Sequence, residues 1–420
     1  MKRTLAEWLV YQEQVNVRSI ELGLDRVNEV WQRMGAPRPA PLVITVGGTN
    51  GKGSTVALLE AMLRAAGYRV GCYTSPHLLA YNERVRIDGA DADDASLVAS
   101  FERIESARGE IPQTYFEFGT LAALDLMARA AVDVAVLEVG LGGRLDAVNI
   151  VDADAVVVTT VDLDHQDWLG NDRDSIGREK AGIARAGRPA VVGEASPPAG
   201  LLDALATIGA IVLRAGVDYR LERDAEGWHW TGQDVSLPLP DPALAAPCQH
   251  DNAAAAIAVL RALGDRLDVP RQAMADGLRE VHVPGRLQVV EGSPPLVVDV
   301  GHNPQAARAL ATWLDARTGG GRVHAVYGAL SDKDVTGVIG ALGTRIDHWH
   351  LAGLARDTPR GLPASSLAAS LAETLPGAGH DEHEDVAAAL AAARLAARPE
   401  DLILAFGSFF VAAVALGNLA

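Results

Sequence analysis

Cysteine is almost missing from this sequence. Cys72 and Cys248 are the only two among 420 residues, which excludes a disulfide framework and gives no metal-knuckle spacing. So few thiols fit a reducing compartment, and cytoplasmic residence is expected. Positive charge is also short: 37 Lys and Arg stand against 54 Asp and Glu, a formal net charge of −17. An acidic surface argues against nucleic acid and anionic membranes as main partners, while leaving room for a local basic pocket. The opening MKRTLAEWLVYQEQ meets Glu7 before any apolar core develops, so no signal peptide is expected. Leu402–Ala420 carries no charge and is long enough to span a bilayer. Within it, however, LILAF reads as a buried strand, and Gly407-Ser408 breaks the run before FFVAAVALGNLA. A strand, a turn and a helix are expected there, not an anchor. Internal repeats and long flexible linkers are absent too.

What remains is a globular composition, 49% hydrophobic and 22% charged, at a length that calls for two domains. Apolar runs alternate with helical patterns. PLVITV, YRVGCYT, DVAVLEV and DAVVVTTV read as strands, and STVALLEAMLRAAG reads as a helix stopped by Gly67. Near-continuous apolar strands separated by helices indicate a parallel sheet covered on both faces. The pattern restarts after HVPGR. LVVDV, RVHAVYG and LILAF supply strands, and QAARALATWLDAR a helix capped by Asn303 with Pro304 at its first position. The fold class is therefore α/β: a mostly parallel, P-loop-type domain over 1–283, then a smaller Rossmann-like α/β domain over 284–420. Ligands bind such sheets at the carboxyl ends of the strands. Every motif below is expected at such an end.

The stretch VGGTNGKGST, Val46–Thr55, departs from the common phosphate-loop spelling G-x-x-x-x-G-K-[ST]. Val46 stands where the first glycine would be, and Gly53 separates Lys52 from Ser54. In its strand–loop–helix setting it still offers consecutive N–H groups and a helix N-terminus to phosphate oxygens. Lys52 adds a cation, and Ser54 and Thr55 add hydroxyls for phosphate or Mg²⁺. An ordinary glycine turn would leave the lysine unexplained.

That spelling resembles the loop of the folylpolyglutamate and dihydrofolate synthases, relatives of the Mur ligases. The resemblance continues through SPHL at Ser75, ERVRI at Glu83, TYFEFGTLAAL at Thr114, EVGLGGRLDAVN at Glu138 and LDHQDWLG at Leu163. It extends to GREKAGI at Gly177, HDNAAAA at His250, PGR at Pro284 and DVGHNP at Asp299. The likeness is to the bifunctional bacterial members. It implies an ATP-dependent carboxylate–amine ligase that joins L-glutamate to dihydropteroate and to reduced folates. A carboxylate is a poor electrophile, so ATP must first convert it to an acyl phosphate, and positive charge must gather around the triphosphate. A single-activity synthase is the alternative within the family.

The resemblance implies roles residue by residue. Thr49, Asn50, Gly51, Lys52, Gly53 and Ser54 would hold ATP, joined by Asn252, Arg286 and Asp299, with domain closure completing the nucleotide site. Ser75, Glu138 and His165 would hold Mg²⁺, two ions in all, and Lys180 would join them as a carbamate made with CO₂. Lys52, Glu138, His165 and Lys180 form the catalytic set. For the pterin, Ile20, Glu21, Leu22, Thr114, Tyr115, Phe116, Glu117, Leu145, Asp146 and Ala147 are implied, and for glutamate His302 and Ser408. Plainer readings stand beside these. Lys180 reads alone as a helix-surface lysine, Asn252 as a helix cap, Arg286 with Asp299 as a salt bridge, and Tyr115 and Phe116 as core aromatics. A Mur ligase normally carries a further N-terminal domain, for which few residues precede Val46. A P-loop switch would need no glutamate. A monomer is expected.

Overall fold

The computed structural model describes residues 3–16, 20–224, 227–232, 235–317 and 320–417. The chain divides into two compact units, Met1–Ala243 with His250–Val281, and Leu244–Gln249 with His282–Ala420.

In the first unit eight strands form one sheet: β1 (Leu42–Gly47), β2 (Val70–Tyr73), β3 (Val85–Ile87), β4 (Ala90–Asp91), β5 (Val134–Glu138), β6 (Ala155–Val158), β7 (Pro189–Val192) and β8 (Ile211–Arg214). Their order is β4-β3-β2-β5-β1-β6-β7-β8. Pairing from β2 through β8 is parallel, and β3 and β4 add an antiparallel edge. Every residue of β1, β2, β5 and β6 is buried, which is why these strands read as unbroken apolar runs. Each buried aliphatic side chain contributes about 1.5–3 kcal/mol. The helix Lys52–Ala65 follows β1 directly.

A second sheet in this unit is an antiparallel meander of β9 (Tyr219–Asp224), β10 (Gly227–Gly232) and β11 (Val235–Leu239). The parallel pattern did not announce it. Its strands alternate polar and apolar residues, with Trp228 and Trp230 turned inward, the period-two signal of a half-covered sheet.

Among the described residues the second unit has six strands: β12 (Gln288–Val290), β13 (Leu296–Val298), β14 (Val323–Tyr327), β15 (His348–Ala352), β16 (His380–His383) and β17 (Leu402–Phe406). The order is β12-β13-β17-β14-β15-β16, parallel except for β12. The helix Pro304–Asp315 has Asn303 as its cap, its side chain accepting from the Ala306 N–H at 3.0 Å. Leu402–Phe406 is a buried strand and Phe409–Gly417 a helix; residues 418–420 of that run lie outside the described residues. Among the described residues no helix is long and apolar enough to cross a membrane.

Candidate active site

Four strands of the first unit's sheet end at the same edge. Beyond β1 comes the glycine loop, beyond β2 Ser75, at the last position of β5 Glu138, and beyond β6 His165. The β1–β5 register sets Val46 opposite Glu138, so the acid stands beside the first residue of the loop. The Ser75 N–H donates to Glu138 Oε2 at 3.1 Å, and Glu138 is buried. His165 has a left-handed backbone (φ 51°), and its Nε2 lies 4.0 Å from Asp164 Oδ1.

The loop is held from beneath by the end of β6. Thr49 N–H donates to Thr160 O (2.8 Å), Asn50 N–H to Thr160 Oγ1 (3.0 Å), and Thr159 Oγ1 to Asn50 O (2.6 Å). Lys52 Nζ donates to Gly48 O and Thr49 O at 3.2 Å each, so the cation lies folded over the loop's own carbonyls. Gly51 begins the helix with φ +85°, and a Cβ there would collide with Asn252 Oδ1. Asn252 is thus a neighbour of the loop within the first unit. It sits inside the helix Gln249–Leu263 and is not that helix's cap. Ser54 and Thr55 are buried, with Thr55 Oγ1 donating to Gly51 O at 2.9 Å.

Lys180 is not a surface lysine. It is 3% exposed on the helix Arg173–Ala181. Burial brings its ammonium down to about 7; the charge of Lys52 adds to the fall, while Asp164 and Asp146 oppose it. An amine so placed is neutral for a substantial part of the time at neutral pH. Arg144 N–H donates to Glu179 O at 2.9 Å, and Gly143 packs on the Lys180 backbone. The loop after Glu138 is therefore bound to the lysine's helix. For a hard divalent ion, the Glu138 carboxylate and Ser75 hydroxyl are suitable oxygen donors. A carbamate on Lys180 would add another, and the buried, readily neutralised amine fits that requirement.

The expectation that every motif lies at a strand end fails for Thr114–Glu117, Lys180 and Asn252: Thr114 caps a helix, and the others stand within helices. Thr114 caps the helix Tyr115–Ala130. Its Oγ1 accepts from the Glu117 N–H at 3.2 Å, and Glu117 Oε2 accepts from the Thr114 N–H at 2.7 Å. The three segments expected to hold the pterin nevertheless meet. Arg26, which no motif marked, pairs with Glu21 (3.0 Å) and with Glu117 (3.1 Å). Gly23 N–H reaches Leu145 O at 3.4 Å. Burial raises the Glu117 carboxyl, while Thr114 and Arg26 offset part of the rise. Ile20 and Leu22 flank Glu21 and are partly buried. Asp146 accepts from the Leu141 and Val148 N–H groups at 2.8 and 3.0 Å, and burial lifts it to about 6. Ala147 follows it, buried, at the start of a short 3₁₀ turn. Phe116 lies 5.9 Å from the Tyr73 ring and abuts Gly140, where a Cβ would come within 2.5 Å of it. Tyr115 packs edge-on to Tyr81 at 5.6 Å, with the Arg84 guanidinium 5.3 Å from its ring.

In the second unit the expected residues gather beyond β13 and β17. Asp299 accepts from the Leu287 and Gly301 N–H groups at 2.7 and 2.6 Å; burial raises it, and Arg286 pulls it back. Arg286 lies over the Phe409 ring at 5.3 Å. His302 Nδ1 lies 3.0 Å from Val300 O, and its ring is 6.5 Å from Phe409. Ser408 Oγ accepts from the Val411 N–H at 3.1 Å, so this hydroxyl caps the final helix.

Two family models match the chain: the Mur ligase middle domain over residues 46–193, and the Mur ligase, glutamate ligase domain over residues 285–409. The fold and these two matches are those of an ATP-dependent ligase of the Mur type. The dihydrofolate synthase/folylpolyglutamate synthase of Escherichia coli (strain K12) is 48% identical, covering 97% of this chain and 94% of its own. The structure of E. coli FolC in complex with DHPP and ADP superposes with a TM-score of 0.94 at 46% identity, over 99% of this chain and 98% of that one. A bifunctional folylpolyglutamate synthase/dihydrofolate synthase with Mn, AMPPNP and L-glutamate bound gives 0.91 at 46% identity, over 99% and 98%. The chain belongs to the dihydrofolate synthase/folylpolyglutamate synthase family.

Proposed function

We propose that this chain ligates L-glutamate both to dihydropteroate, forming dihydrofolate, and to reduced folates, forming folylpolyglutamates, at one ATP site. The observation that carries the reading is the edge of the first sheet where the glycine loop, Ser75 and Glu138 meet, with His165 in the segment beyond β6. An oxygen of the acceptor carboxylate attacks the γ-phosphorus and ADP departs, leaving an acyl phosphate. The glutamate amine then attacks the acyl carbon and sheds a proton, and phosphate leaves with the former carboxylate oxygen.

The loop N–H groups and Lys52 gather the triphosphate and offset its charge. Ser75, Glu138, His165 and a carbamylated Lys180 are the residues that would hold Mg²⁺, which when bound supplies further charge neutralisation. Asn252, Arg286 and Asp299 are assigned to the nucleotide, and His302 and Ser408 to glutamate. The 20–22, 114–117 and 145–147 segments are assigned to the pterin; the pairing of Arg26 with Glu21 and Glu117 and the Gly23 N–H bond to Leu145 O support that grouping. The functional division we assign follows residues 1–283 and 284–420, and the working form is a cytoplasmic monomer.

Acceptor labelled with ¹⁸O in its carboxylate tests the chemistry. One label should appear in inorganic phosphate for each amide formed. Label retained entirely by amide and water would eliminate the acyl phosphate, and ligation of only one acceptor would leave a single-activity synthase.

A further inference from the structure

One face of the second unit's sheet carries an unusual group of side chains. Residues alternate faces along a strand. Ala325, Tyr327, Trp349 and Leu351 belong to the apolar core on one side. On the other side stand His324 of β14, His348 and His350 of β15, and Asp381 and His383 of β16. Register pairs His324 with His348, and His350 with Asp381. A buried parallel sheet ordinarily presents aliphatic residues on both faces, so imidazoles on three adjacent strands call for a reason.

Their geometry supplies one. His348 Nε2 lies 2.9 Å from Asp381 Oδ2. His350 has an imidazole neighbour at each ring nitrogen: His324 Nδ1 at 3.3 Å from its Nε2, and His383 Nε2 at 3.3 Å from its Nδ1. One nitrogen each of His348 and His350 and one oxygen of Asp381 all lie within 4.8 Å of one another. A tetrahedral Zn²⁺ with bonds of about 2.0–2.1 Å holds its ligand atoms about 3.3 Å apart. Side-chain adjustment of ordinary size would therefore close the set on an ion. His324 and His350 are buried, whereas His348 is half-buried and Asp381 exposed, so the group opens to solvent at the edge strand β16.

We propose that His348, His350 and Asp381 form a binding site for a divalent first-row transition metal of the zinc type. Two imidazoles and one carboxylate favour such an ion over Mg²⁺ and leave a fourth position for water. His350 would bind through one nitrogen while a neighbouring imidazole holds the other, the support that metal-bound histidines require. The site is separate from the candidate catalytic residues of this unit. His348 opens β15, whereas Asp299, His302 and Ser408 lie beyond the opposite ends of parallel strands, about a strand length away. A metal there ties the edge strand β16 to β15 beyond their backbone ladder.

The test uses the full, untagged chain, stripped by chelator and loaded with ZnCl₂. An anomalous difference peak at the zinc edge is expected between His348, His350 and Asp381. His348→Ala and Asp381→Ala, on the solvent side where the fold tolerates them, should each weaken zinc binding by at least about tenfold. Both variants should keep wild-type ligase turnover with Mg²⁺. Zinc should raise the melting temperature of the wild type and not of the variants. Absence of a peak at this position, zinc found only near Glu138 and His165, or affinity unchanged in both variants would overturn the proposal.

Discussion

Lys180 shows how little a residue's identity says before its surroundings are known. In the linear chain it is one lysine on a charged helix. In the fold it is buried among Lys52, Asp164 and Asp146, and burial removes most of its preference for charge. The neutral amine is the form that attacks CO₂, losing a proton as the carbamate forms, so this environment supports the proposed carbamate, which would replace a cation with an anion at the proposed metal site. Lys180→Ala is expected to lose most ligase activity, by about a hundredfold or more. Acetate or formate should restore part of it by occupying the vacated place. Full activity in a preparation whose Lys180 is shown by mass spectrometry and electron density to be unmodified would remove the carbamate from the mechanism.

At the scale of elements, the loop between β1 and the helix Lys52–Ala65 depends on one backbone conformation. Gly51 holds φ +85° and faces Asn252 with no room for a side chain. Left-handed geometry costs other residues about 1–2 kcal/mol, and here the collision with Asn252 adds to it. Gly51→Ala should therefore weaken ATP binding by more than about tenfold while leaving the apolar core intact. Isothermal titration with a non-hydrolysable ATP analogue, set beside the melting temperature, separates the two effects. Equal loss of stability and affinity would mean that the loop is merely a structural turn. Much at this scale was legible in advance. Apolar runs gave the buried strands, and Asn303 with Pro304 gave a helix start. The meander over 219–239 was not legible, because its alternating short strands bear on neither the parallel pattern nor any motif. Thr114 and Glu117 were legible as a motif but not as the capping box they form.

At the scale of the whole molecule, the sequence holds one nucleotide loop, and the described residues bring one Ser75–Glu138–His165 edge to it. Two acceptors must then present their carboxylates at one reactive position. Dihydropteroate should inhibit tetrahydrofolate ligation competitively, and the reverse should hold with an inhibition constant near each acceptor's own KM. Non-competitive inhibition in both directions would require two independent reactive positions. The succession of strands and loops along the chain and the identity of the nucleotide loop follow from the sequence itself, because buried parallel strands are apolar throughout and phosphate loops demand glycine and lysine at short range. Local periodicity and local motif carry such information. Long-range pairing does not. Arg26 reaches a glutamate 91 positions away, Asn252 fills the space beside Gly51, and histidines from three strands share one face through register alone. These were decided only when the sheets closed, because contact across a fold is fixed by strand order and packing, which no short stretch of residues records.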